Sequence, residues 1–179
     1  MKEMSNTGLL IIDVQVGMFS VPNLPLYNGD KLIENIKKLL GNARATNTPV
    51  FFVQHIGPDE GLLGKGKPTW EIDSRIKPVD NEIVISKRTP DSFHKTPLHE
   101  ELKNKSIGKL VIAGCQTEFC VDTACRRAFT IGYDSILVED AHSTFDNEIL
   151  TASQIIKHHN RILGGSFAKL KRTDEIVFE

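Results

Sequence analysis

Cys120 is the side chain in this sequence best placed to act as a nucleophile. It lies in the stretch KLVIAGCQTEFCVD, residues 109–122. Residues 110–113 form a continuous apolar run, Gly114 breaks it, and from about Glu118 the chain reads as helix. A short, fully apolar run is the pattern of a parallel strand buried on both faces. That places Cys120 near a helix N-terminus at the C-terminal edge of a sheet, where open α/β folds bind ligands. Unpaired N–H groups and the helix dipole there favour a thiolate over a thiol. The plain alternative is a buried core cysteine with no chemistry at all.

Two further residues have types that complement a thiol. Asp13 follows the apolar run of GLLIIDVQV, at the C-terminal end of a first strand, and can be either a turn-former or a site residue. Lys87 follows the apolar residues Ile83, Val84 and Ile85 at the end of a third strand. A carboxylate can take a thiol proton and later return it to a leaving amine. A neighbouring ammonium lowers a thiol pKa. For the three to meet, the strands that carry them must share one rim.

The rest of the chain predicts that arrangement. Residues 30–46 carry Leu32, Ile33, Ile36, Leu39, Leu40 and Ala43 at helical spacing, with Asp30 as N-cap. Residues 50–53 read as a second strand that ends at His55. Residues 57–68, with four glycines and two prolines, read as a long loop or lid. A helix capped by Thr96 runs to about Lys105, and the Cys120 helix ends near Gly132, a plausible C′ residue. Residues 135–138 read as strand and 141–144 as turn. Residues 146–159 read as helix, 162–163 as a short last strand, and the tail from Ser166 carries no clear pattern. Strands alternating with helices predict a three-layer α/β/α fold, a mainly parallel central sheet joined by right-handed crossovers. Asp13, Lys87 and Cys120 then meet at the C-terminal rim. Gln15, Phe19, His55, Trp70 and Phe93 fall on the adjoining loops and are candidates for a substrate pocket, although His55 reads more readily as a hydrogen-bonded strand-end histidine than as a substrate contact or metal ligand, and Trp70 reads equally as a core edge.

These segments resemble the isochorismatase-like cysteine hydrolases, which include nicotinamidases and carbamoylsarcosine amidohydrolases. The resemblance rests on LLIIDVQVGMF, ISKRTPDSFHKTPL, VIAGCQTEFCVDTACRRAFTIGY and VEDAHST, in the family's order along nearly the whole chain. It implies Asp13, Lys87 and Cys120 as catalytic residues, a cis peptide between Cys115 and Gln116, and an oxyanion hole from the backbone N–H groups of Gln116 and Cys120. It also implies a small-molecule substrate and an oligomeric protein. Nicotinamidases carry a metal-binding D-x-H segment after the second strand, but here that place reads VQHIG, which predicts no metal and no cofactor. Isochorismatases proper hydrolyse a vinyl ether and often lack the cysteine, so Cys120 favours hydrolysis of an amide or related C–N bond. A vinyl-ether hydrolase, or a silent family member that binds or assembles, are the alternatives.

Composition excludes several other classes. The 179 residues are enough for one domain over residues 1–179 with a proper core, and 40% hydrophobic with 25% charged content is ordinary for a globular protein. A net charge of −1 without basic or acidic blocks gives no support to nucleic acid or an anionic membrane as partner. No G-x-G-x-x-G or Walker lysine motif is present. MKEMSNTG has no apolar signal core and no run is long enough to span a bilayer, so the expectation is a cytoplasmic protein. Cys115, Cys120 and Cys125 recur every fifth residue. On a helix that spacing turns through about 500°, which suits three independent thiols rather than a metal site.

Overall fold

In the computed structural model, residues 6–178 are described, so Met1–Ser5 of the MKEMSNTG stretch and the final Glu179 lie outside the described residues. Six strands form one sheet: β1 (Asn6–Ile12), β2 (Val50–His55), β3 (Ile83–Lys87), β4 (Ile107–Cys115), β5 (Asp134–Ser143) and β6 (Lys169–Lys171). Their spatial order is β3-β2-β1-β4-β5-β6, and each neighbouring pair is parallel. The chain builds outward from β1 through β2 to β3. It then returns to β4, on the other side of β1, and builds outward again. The strand order therefore reverses between β1 and β4, and open α/β sheets form their crevice at such a reversal.

Apolar runs explain the central strands. Leu9, Leu10, Ile11 and Ile12 of β1 and Leu110, Val111, Ile112 and Ala113 of β4 are all buried, as strands covered on both faces must be. Helix α1 (Gly29–Ala45) covers one face with Leu32, Ile33, Ile36, Leu39, Leu40 and Ala43, joined by Ile176 and Phe178 of the tail. On the other face pack α2 (Leu98–Asn104) and α3 (Asp122–Thr130), with Leu163 of α4 (Ala152–Ser166). No described helix is long and apolar enough to cross a membrane. The link from β2 to β3 contains only two short 3-10 turns, Pro68–Trp70 and Ser74–Ile76, in keeping with the glycines and prolines of residues 57–68.

Three expectations are corrected. Residues 162–163 are not a strand: α4 runs on to Ser166 because Leu163 is a fully buried core contact, and the last strand is Lys169–Lys171. That helix also starts later than residue 146. Asn147 Oδ1 accepts from the N–H groups of Ile149 and Leu150, which makes a turn of residues 147–150. Thr151 and Gln154 then form a capping box, and Ile149 is left 87% exposed rather than facing the core. Residues 141–143 belong to β5 and are not a turn. The register between β4 and β5 shifts after Ile112, so that Gly114 pairs with His142 and Cys115 with Ser143.

Gly114 is required by the approach of two backbones. Its φ is +129°, and a Cβ there would stand 2.0 Å from the carbonyl oxygen of Ile12. Only glycine permits that contact, which draws the end of β4 against the end of β1. Gly114→Ala is therefore expected to cost about 3 kcal/mol. In a chain of this size that corresponds to a drop of roughly 6–12 °C in the thermal midpoint, readable by calorimetry.

Candidate active site

Asp13 is the first residue beyond β1, Lys87 is the last of β3, and Cys120 sits in a π turn, Thr117–Val121, between β4 and α3. Asp13 has φ +51°, a left-handed conformation that aspartate tolerates better than most residues. The peptide between Cys115 and Gln116 is cis. The two amides of the expected oxyanion hole thus belong to one short segment, with Gln116 as the cap of the π turn and Cys120 within it.

Three strand ends bring their side chains together around one ammonium. Lys87 Nζ donates to Asp13 Oδ2 at 2.6 Å and to Cys120 Sγ at 3.1 Å, and lies 3.4 Å from His55 Nδ1. Both ion-pair side chains are essentially buried, Lys87 at 0% and Asp13 at 1% exposure. An ammonium has three protons, and each faces one acceptor here if His55 Nδ1 is bare. Burial and the Lys87 charge hold the His55 pKa below the usual imidazole range, which agrees with that neutral form. Asp13 Oδ1 is buried with no hydrogen-bond partner. It is the free oxygen of the group.

The thiol departs from its expected state. A helix N-terminus and a lysine predict a lowered pKa, yet burial, followed by the Asp13 carboxylate, pushes Cys120 up to about 12 against the opposing pull of Lys87. Burial is the main reason, and Lys87 cannot offset it because it is shared. Its charge is already matched by Asp13, so the thiolate would be a second anion beside one cation. The resting group is thus a thiol beside an ion pair. Cys115 and Cys125 are also raised by burial, and both are wholly buried, whereas Cys120 is partly exposed.

The five residues expected to line a pocket have different fates. Gln15 is fully buried and its amide is spent on backbone: Nε2 donates to the carbonyls of His55 and Trp70, and Oε1 accepts from the His55 N–H. It clamps the ends of β1 and β2 to the 3-10 turn at Trp70. Phe93 is a core residue rather than a pocket wall, 8% exposed and stacked 6.0 Å from the Tyr133 ring. Phe19 is half-buried under the Arg75 guanidinium, 4.7 Å from its ring centre. Trp70 is half-buried with its indole N–H buried and unpartnered. His55 joins the ammonium. The sequence reading missed Phe119, which is 51% exposed immediately beside Cys120, and it missed the contact of Thr117 with His142 behind the turn. A large aromatic adjoining the nucleophile was the available signal for the first; nothing in the spacing pointed to the second.

The residues do not suit the metal of nicotinamidases. Val53 stands where D-x-H has its carboxylate and is a buried core residue, and His55 Nδ1 is committed to Lys87. Among the described residues, no group of three or more His, Cys, Asp or Glu side chains is arranged to hold an ion.

Comparisons with known proteins agree with this architecture. The sequence model of the Isochorismatase domain matches residues 7–156. An uncharacterized isochorismatase family protein of Bacillus subtilis is 33% identical over 177 residues, which cover 96% of this chain and 98% of that protein. The streptothricin hydrolase of Streptomyces noursei is 31% identical over 78% of this chain but only 55% of its own length. The crystal structure of an isochorismatase from Pseudomonas putida superposes with a TM-score of 0.92 at 32% identity, over 98% of this chain and 92% of that one.

Iodoacetamide should mark Cys120 before Cys115 and Cys125, because only Cys120 is reachable. Its labelling rate should keep climbing with pH through pH 10 without a plateau, since burial and the Asp13 carboxylate hold the thiol pKa above that range. Lys87→Met should slow the labelling further and leave Asp13 as a buried unpaired charge, at a cost of about 3–5 kcal/mol in stability. Peptide mass spectrometry after brief labelling and a denaturation curve check both.

Proposed function

Because the chain belongs to the isochorismatase family, whose members include hydrolases, we propose that it is a cysteine-dependent hydrolase of a small-molecule amide or related C–N bond. The observation that carries this reading is the single ammonium of Lys87 shared between a carboxylate and a thiol at 2.6 and 3.1 Å.

The chemistry follows from those contacts. Asp13 Oδ1 has no partner and is the site to which the Cys120 proton moves. The transfer leaves a thiolate beside the Lys87 ammonium and a neutral carboxyl beyond it, so the shared cation changes its principal partner without moving. Attack on the substrate carbonyl carbon forms a C–S bond and places the negative charge on oxygen. The N–H groups of Gln116 and Cys120 receive that oxyanion; one such donor is typically worth about 3–4 kcal/mol of barrier. The Asp13 carboxyl gives its proton to the departing nitrogen as the C–N bond breaks. Water, deprotonated by the same carboxylate, then hydrolyses the thioester and restores the thiol. No step needs a metal. Phe119, Phe19, Trp70 and the loop over residues 57–68 bound the substrate, and loops of this kind set specificity on a common scaffold.

Hydrolysis across a panel tests this reading, with nicotinamide and carbamoyl compounds followed by ammonia release and lactams followed by formation of the ring-opened amino acid. At least one amide should be turned over, EDTA should leave the rate unchanged, and Cys120→Ser should reduce it by at least about a thousandfold, since a serine hydroxyl is far harder to ionise than a thiol. Turnover of a vinyl ether that survives Cys120→Ser would favour the ether-hydrolase alternative instead.

A further inference from the structure

Behind the π turn lies a chain of buried and half-buried polar side chains that the proposed chemistry does not use. Thr117 Oγ1 is 2.8 Å from His142 Nδ1, His142 Nε2 is 2.8 Å from Asn160 Oδ1, and Asn160 Nδ2 donates to the Glu139 carbonyl at 3.2 Å. Thr117 is 0% exposed and His142 4%. We propose that His142 is a positioning residue for the hydrolysis: through Thr117 it holds the turn at the depth where the Gln116 and Cys120 amides meet the substrate oxygen. This inference rests on the reading of those two amides given above.

The direction of every proton in the chain is determined. Asn160 spends its N–H on a carbonyl, so the oxygen it turns to the ring can only accept. His142 must then carry its hydrogen on Nε2. In a neutral ring this leaves Nδ1 bare, and the Thr117 hydroxyl donates to it. Neutrality is what the surroundings favour. Burial is the main cause that lowers the His142 pKa, to about 4; the bond to Asn160 and the Asp140 charge oppose it, and His159 adds to it.

Position gives the chain its leverage. Thr117 follows Gln116 directly and precedes Cys120 by three residues, so one hydrogen bond acts on both donors. His142 stands beside Gly114 in the β4–β5 register, and Asn160 belongs to α4. The chain thereby ties the turn to a strand and a helix that contribute no reacting group. A second tie, Thr144 Oγ1 donating to Glu118 Oε1 at 2.8 Å, holds the turn to the residue that follows β5.

Three variants test the inference: Thr117→Val, which removes the donor at nearly constant shape, Thr117→Ser, which keeps it, and Asn160→Ala, which frees His142 from outside the turn. On an amide that the wild type hydrolyses, Thr117→Val should lower kcat roughly tenfold to a hundredfold, part of the value of an oxyanion donor. KM and the iodoacetamide labelling rate of Cys120 should stay within about twofold, since alkylation needs no oxyanion hole. Thr117→Ser should restore kcat, and Asn160→Ala should lower it severalfold even if Thr117→Val fails to fold. A folded Thr117→Val with wild-type kcat, or a loss of labelling parallel to the loss of kcat, would overturn the inference. Nitrogen-15 spectra supply a readout that needs no substrate: His142 should show hydrogen on Nε2, and the Gln116 and Cys120 amide resonances should move in Thr117→Val but not in Thr117→Ser. Unmoved resonances would overturn it as well, whereas a wild type inert to every amide with those resonances displaced would count against the hydrolase reading alone.

Discussion

A buried ion pair sets the terms for the whole site. Lys87 and Asp13 are withdrawn from water at a separation of 2.6 Å, where each offsets the cost of burying the other. Removing one partner of such a pair typically costs about 3–5 kcal/mol, because it strands a charge in a poor solvent. The pair comes from two strands, β3 and β1, that are not neighbours, since β2 runs between them. The contact therefore spans β2, whose end is held by Gln15. Fold and site stand or fall together through that contact.

Burial, reinforced by the same pair, explains why a cysteine in this position rests as a thiol. A lysine with no other partner would stabilise a thiolate. This one is already neutralised, so the sulfur keeps its proton until a carboxylate oxygen receives it. Charge is rearranged within the group during reaction rather than introduced into it, and a buried site tolerates rearrangement far better than a new net charge. His55 completes the set as a neutral acceptor, where a charged imidazole would compete for the same carboxylate.

The sequence made much of this legible. Apolar runs followed by Asp13 and Lys87, and by the turn that carries Cys120, located β1, β3 and β4 and, with them, the three residues that meet. What stayed hidden depended on side chains whose partners are remote in sequence. Gln15 looked like a substrate contact because a polar residue after a strand end usually faces solvent; its true partners, His55 and Trp70, lie 40 and 55 residues away. Phe93 looked like a loop aromatic because nothing local announces that Tyr133 packs on it. Residues 146–150 have helical apolar spacing, but the Asn147 side chain captures two backbone N–H groups and local hydrogen bonding defeats periodicity there. The state of Cys120 was misjudged for a related reason: spacing shows that a lysine is near, not that another group has already claimed it.

Trapping the covalent intermediate tests the central claim most directly. With an amide that the protein hydrolyses, acid quenching within the first turnovers and mass spectrometry of the intact chain should show a mass increase equal to the acyl group. Peptide mapping should place it on Cys120, and the adduct should be absent in Cys120→Ser. Rapid turnover with no adduct on Cys120 at any quench time, undiminished when its sulfur is removed, would contradict the account.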